Sequence, residues 1–210
     1  MLNWKTKIQR TADKIWKEIH QKEVKNYSWE YLKFNYRAEH TELVLSIGMH
    51  LGRKLEADMD ILRAALLLHD IGRNKVEKGH AKVGAQLACE ILDNTDFPRE
   101  KIDAVSYAIE VHAGWDESIP ETLEARILWD ADKLSKLGAS VILHRTMRIP
   151  LKGKEIWDAP PEFNKWLKTA EFIKEHMKTP LGSKLAKERF HTLKTFVAAL
   201  NREVIEYHTD

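Results

Sequence analysis

The sequence contains a single cysteine, Cys89, in 210 residues. That scarcity excludes an intramolecular disulfide framework and any zinc site built mainly of thiolates, and it fits a reducing compartment. Long apolar runs are missing too: no segment approaches the roughly 18 apolar residues of a membrane-spanning helix. The opening stretch, MLNWKTKIQRTADKIW, mixes charged and apolar residues without a region of signal-peptide length. A soluble, cytoplasmic protein with no membrane partner is the expectation. Charge of one sign is not in excess either, since 34 Lys and Arg against 32 Asp and Glu leave a net +2. Nucleic acid is therefore not an expected partner. The basic segments KTKIQR and LAKERFHTLKTF read as solvated helix faces. Stretches of period two are few, and there are no internal repeats or low-complexity tracts.

What is present is helical periodicity. Over 3–26, Trp4, Ile8, Ala12, Ile15, Trp16 and Ile19 recur at spacings that make one apolar face. Over 36–55, Leu43, Val44, Ile47 and Leu51 do the same, and His40 shares their stripe. Asp58 or Asp60 is placed to cap a third helix through Ile61, Ala64, Ala65 and Leu68, which ends before Gly72. Helical patterns follow at 81–93, 99–112 and 121–147, with turns at Asn94–Pro98 and Gly114–Pro120. The segment RIPLKGKEIWDAPPEFNKW reads as a long loop or short excursion, and 163–177 and 182–207 are helical again. An all-α fold of about seven or eight helices is predicted, organised as one domain over 1–210.

Ten histidines are present, and a histidine on a helix is usually structural or exposed. His20, His176, His191 and His208 lie in charged surroundings and carry no predicted role; His50 and His144 are ambiguous. By contrast, His40, His69, Asp70, His80, His112 and Asp132 lie on apolar faces or at helix–loop junctions. The stretch ALLLHDIGRNK, 65–75, is the sharpest case, because four apolar residues run directly into His69 and Asp70. Burying that pair without partners costs several kcal/mol. Two imidazoles and two carboxylates gathered by helix packing suit Mn, Fe, Co, Ni or Zn, with Mg less natural. A bound divalent ion would offset the burial. The alternative is that His69 caps one helix and Asp70 the next turn. Asp130 competes with Asp132, but two residues along a helix turn a side chain by about 200°, so both cannot face one ion.

The segments RAEHTELVL, LLLHDIG and DADKLSKLGA, in that order, resemble the His, His-Asp, Asp signature of the HD-domain superfamily of metal-dependent phosphohydrolases, over about Tyr36–Leu143. The resemblance implies an HD-like helical bundle, with a core over about 36–147 and extra helices in 1–35 and 148–210. It implies His40, His69, Asp70 and Asp132 as ligands of one divalent ion, with Asp130 behind them. Some branches hold a second ion through further histidines, and KGHAKVGA and AIEVHAGW place His80 and His112 as those ligands. His112 is followed by Ala113, where several two-metal members carry another histidine. The Gly-Tyr-Pro motif of the cyclic-dinucleotide branch is absent.

The implied activity is hydrolysis of a phosphate ester or anhydride in a nucleotide-like or other small phosphorylated molecule, by water activated on one or two ions. His69, Asp70 and Asp130 are the residues expected to act on that water. Arg73, Lys75, Lys78 and Lys133 are candidate phosphate contacts, Arg73 foremost because a guanidinium grips phosphate with two parallel hydrogen bonds. Trp115 is placed to stack on a base or to pack. Two other readings use the same residues: a diiron oxygenase, and a non-catalytic metal- or nucleotide-binding sensor. The terminal extensions are where lids or the contacts of a homodimer would lie.

Overall fold

The computed structural model describes residues 3–24, 35–115 and 119–205, in which nine α-helices and no strands are found. The ends of the first and last predicted helices, 25–26 and 206–207, fall outside the described residues, as does His208. No helix among the described residues is long and apolar enough to cross a membrane. The chain divides into two compact units, Met1–Asp132 and Lys133–Asp210.

The first unit is built around α3 (Met59–Leu68), whose residues Leu62 and Ala64–Leu68 are all buried. Such a helix needs its start fixed by polar groups outside the core. Asp58 supplies this, its Oδ1 accepting from the amides of Asp60 and Ile61 at 3.0 and 3.2 Å, while its Oδ2 meets Lys101 Nζ at 2.7 Å. The sequence left the cap open between Asp58 and Asp60; Asp58 holds it.

Helix α1 (Trp4–Val24) buries Trp4, Ile8, Ala12, Trp16 and Ile19, five of the six residues of the predicted stripe, while Ile15 at its edge is half-buried. It also braces the turn that follows α3. Lys22 Nζ donates to Asn74 Oδ1 at 2.7 Å, and Asn74 Nδ2 donates to Glu18 at 3.2 Å. The start of α2 (Tyr36–Leu55) is tied by Asn35, which caps Ala38 N and donates to the carbonyl of Trp16. Helices α4 (His80–Asp93), α5 (Ile102–Val111) and the first part of α6 (Leu123–Leu134) complete this unit.

The second unit holds α7 (Gly138–Leu151), α8 (Ala159–Glu175) and α9 (Pro180–Leu200). Phe163 meets Phe196 edge to face with centroids 5.1 Å apart, and Asn164 and Asn201 exchange two amide hydrogen bonds of 2.9 Å.

Two boundaries differ from the sequence reading. The pattern over 121–147 is not one helix, because the chain turns after Leu134 and restarts at Gly138 with φ of 74°, a left-handed conformation that suits glycine. The predicted long loop shrinks to 152–158, part of it a 3-10 turn at Ile156–Asp158. Its prolines lie inside helix ends: Pro150 occupies the last turn of α7, and Pro160 and Pro161 the first turn of α8, where the missing amide hydrogen costs little.

Candidate metal centre

Helix ends and one helix face deliver the candidate ligands. His40 projects from α2, His69 caps the C-terminus of α3, Asp70 follows it, His80 opens α4 and His112 caps α5. All five are buried, as is Asp132 on α6. Gly72 permits the close approach of this segment to α4: a Cβ there would collide with the carbonyl oxygen of His80 and lie 2.6 Å from Gly84 N.

Asp70 is the centre of the arrangement. Its Oδ2 lies 3.8 Å from His69 Nε2 and 4.0 Å from His40 Nε2. Its Oδ1 lies 3.2 Å from His80 Nε2 and 3.6 Å from His112 Nε2. The carboxylate thus presents one oxygen to each of two histidine pairs. Asp132 Oδ1 adds to the first pair, 3.2 Å from His40 Nε2.

The histidines are aimed by a common device. Nδ1 of His69 is 2.9 Å from the Leu66 carbonyl, Nδ1 of His80 is 3.1 Å from that of Glu77, and Nδ1 of His112 is 2.5 Å from that of Ile109. In each case the acceptor is three residues earlier. A carbonyl can only accept, so Nδ1 carries the proton and Nε2 presents its lone pair inward. The Nε2 atoms of His69 and His80 are buried and have no partner of hydrogen-bond geometry.

Electrostatics agree. Burial pushes the His69 imidazole down to about 3, keeping it neutral, with Asp70 only partly opposing the shift. Burial would raise the Asp70 carboxyl, but its charged and polar neighbours, the Arg73 guanidinium among them, hold it well below the usual carboxylate range. Imidazole nitrogens around an ionised carboxylate form a donor set suited to a divalent transition metal. Two groups can each hold an ion, His40 with His69 and Asp70, and Asp70 with His80 and His112. The buried, unpartnered Nε2 atoms fit this function, since a cation satisfies them where no donor does.

The remaining sequence candidates fall in different places. Asp130 is fully buried on α6, and neither it nor the expected ligand Asp132 is in either ligand group found among the described residues, although Asp132 lies against His40. Arg73 contacts Asp70 directly, Nε to Oδ1 at 2.8 Å. Lys75 and Lys78 are exposed on the loop before α4, whereas Lys133 is only 1% exposed. Trp115 is half-exposed, beside the undescribed 116–118. His50 is exposed and His144 half-buried.

Two residues escaped the sequence reading. Arg37 Nη1 lies 3.7 Å from Asp70 Oδ2, and Glu77 Oε1 lies 2.6 Å from Arg73 Nη1. A signal for Arg37 existed, because it precedes His40 by three residues and so shares its helix face. Glu77 lies four residues after Arg73, an ordinary spacing for a surface ion pair, and Arg37 joins it only in the folded chain.

Comparison with known proteins supports the same assignment. The HD domain family model matches residues 37–137. The chain is 31% identical over 122 residues to a tRNA (cytidine(56)-2'-O)-methyltransferase of Thermoplasma volcanium, covering 50% of this chain and 33% of that protein. The chain thus spans about a third of that relative's length. It is 24% identical over 173 residues to YpgQ of Bacillus subtilis, an uncharacterised protein, covering 79% of this chain and 82% of YpgQ. The crystal structure of YpgQ in complex with ADP superposes with a TM-score of 0.59 at 21% identity, covering 94% of this chain and 97% of YpgQ. An HD-superfamily hydrolase from an uncultured Thermotogales bacterium superposes with a TM-score of 0.61 at 22% identity, covering 91% of each chain. With the His, His-Asp, Asp residues gathered as described, residues 37–137 are assigned to the HD domain family.

Proposed function

We propose that the protein is a metal-dependent phosphohydrolase that cleaves a phosphate ester or anhydride of a small, nucleotide-like molecule. The observation that carries this reading is the division of Asp70, one oxygen toward His40 and His69 and the other toward His80 and His112. A carboxylate so divided would serve as a ligand to an ion in either group of histidines. Bound divalent ions supply Lewis acidity and a coordinated water acidic enough to ionise near neutral pH.

The chain's own residues do the rest. His40, His69 and Asp70 would hold one ion, with Asp132 beside His40, and Asp70, His80 and His112 would hold the other. The carbonyls of Leu66, Glu77 and Ile109 fix three imidazoles in the Nδ1–H form, so reactant binding requires no tautomer change. Burial keeps His69 neutral. Asp130, buried two residues from Asp132, is assigned the role of relaying a proton behind the ligands. The cationic Arg73 faces the same carboxylate, which suits an anionic substrate. The ADP bound by YpgQ supports a nucleotide-like one.

The test is release of inorganic phosphate from a panel of nucleotides and small phosphate esters, with Mn²⁺ and Co²⁺, by wild type and Asp70→Ala. Turnover by wild type, reduced at least about 100-fold in the variant, is expected for loss of a metal-bridging ligand. Equal rates would overturn the mechanism. Coupled iron with oxygen consumption on an organic substrate would assign the centre to oxygen chemistry. Nucleotide binding without turnover across several metals would assign it to sensing.

A further inference from the structure

The arginines beside Asp70 are held in a specific and unequal way. Arg73 Nε lies 2.8 Å from Asp70 Oδ1 and its Nη1 2.6 Å from Glu77 Oε1. Arg37 Nη1 lies 3.7 Å from Asp70 Oδ2 and its Nη2 3.8 Å from the same Glu77 Oε1. The two guanidinium side chains are only 17% and 18% exposed, whereas the Glu77 side chain is 72% exposed. One outward carboxylate therefore faces two largely enclosed cations at the edge of the metal centre. The Glu77 backbone is anchored independently, because its carbonyl accepts from His80 Nδ1. Its side chain can leave without moving the loop.

We infer that Arg37 and Arg73 form a two-guanidinium clamp for the phosphoryl group of the substrate, and that the Glu77 carboxylate is the clamp's built-in counter-anion, displaced on binding. This rests on the hydrolytic reading of the centre. Both guanidiniums reach two carboxylates, the buried Asp70 and Glu77, and of these Glu77 is the exposed one. Glu77 offers a single oxygen to both arginines, whereas a phosphoryl group offers three and accepts paired hydrogen bonds from each guanidinium. An exposed carboxylate is weakly held and readily exchanged. The pairing also sets a preference, since a dianionic phosphoryl group outcompetes Glu77 where a monocarboxylate or neutral ligand does not.

The experiment is calorimetric titration of inorganic phosphate into Mn²⁺-loaded protein, with ion content measured on every sample. Wild type is compared with Glu77→Gln, Arg37→Gln, Arg73→Gln and the double variant Arg73→Gln/Glu77→Gln. Phosphate is expected to bind Glu77→Gln about two- to fivefold more tightly than wild type and each arginine variant about tenfold or more weakly. The gain from Glu77→Gln should vanish when Arg73 is also replaced. Unchanged or weaker binding by Glu77→Gln at full ion content overturns the counter-anion, and a gain that persists without Arg73 reduces it to a general charge effect and overturns it as well. Ester turnover by wild type with phosphate binding unaltered in all variants removes the clamp and leaves hydrolysis standing. A fully loaded wild type that neither binds phosphate nor turns over any ester removes the hydrolytic reading, and the clamp with it.

Discussion

His80 Nε2 lies 3.2 Å from Oδ1 of Asp70, on the far side of that carboxylate from the oxygen that faces His69. On the proposed reading His80 would serve a second position rather than reinforce the first, which makes ligand deletions selective. Wild type should carry about two ions per chain, and His80→Ala or His112→Ala about one. Asp70→Ala should carry none, because both positions use it. Metal content by mass spectrometry on protein without a histidine tag reads this directly; one ion in wild type, unaffected by His80→Ala, would confine the centre to His40, His69, Asp70 and Asp132.

Stability of the metal-free protein should fall with acid from an unusually high pH. His69 has its pKa lowered from 6.5 to about 3 in the folded chain, so between those values the unfolded chain takes up a proton that the folded chain refuses. The stabilisation is fully present above pH 6.5 and is lost on descent toward 3, at up to about 1.4 kcal/mol per pH unit. Asp70, also lowered, adds to the loss only below its ordinary range near 3.8. Urea unfolding at pH 7, 6 and 5 measures the slope. His69→Gln should flatten it; an unchanged slope would show that other groups carry the proton uptake.

Much of this centre was legible because its ligands sit where a helical apolar pattern stops. His69 and Asp70 end a buried run, and His40 interrupts an apolar stripe, so burial and polarity conflict within a few residues and the conflict is visible in one dimension. The helix ends at Leu134 and Leu151 were less legible. A left-handed Gly138 breaks a continuous pattern that periodicity alone carries through, and prolines signal a boundary without saying on which side of it they fall. Glu77 was missed because an exposed carboxylate four residues from an arginine is an ordinary pattern, and its pairing with Arg37 across 40 residues leaves no local trace.

Gly72→Ala should be costly out of proportion to one methyl group. Its Cβ would meet backbone atoms of His80 and Gly84, which cannot rotate away. Overpacking of this kind costs about 1–3 kcal/mol, a fall in Tm of roughly 3–10 °C for a chain of this size. Ion content should drop as well, since the displaced strand of backbone carries Asp70. A variant that melts like wild type and holds its ions would show that α4 yields freely.

Asp58→Ala removes two capping hydrogen bonds and the Lys101 ion pair at the start of α3. A loss of about 1–2 kcal/mol is expected. Asp58→Asn retains the cap but not the charge, and should recover most of it. Denaturant midpoints for the three proteins separate the two contributions, and equal losses in both variants would assign the effect to the ion pair.

The hydrogen bonds from Nδ1 of His69, His80 and His112 each close on a carbonyl three residues back, within a single turn of chain. Ligand orientation is thus decided locally, by the backbone that carries the ligand, while ligand spacing is decided by helix packing. The two are adjusted separately: a shift of one helix changes the distance between ion positions without spoiling the aim of any imidazole. A change of one histidine deletes a position without re-aiming the others. The centre is modular in construction, each candidate ligand being set by its own turn of chain.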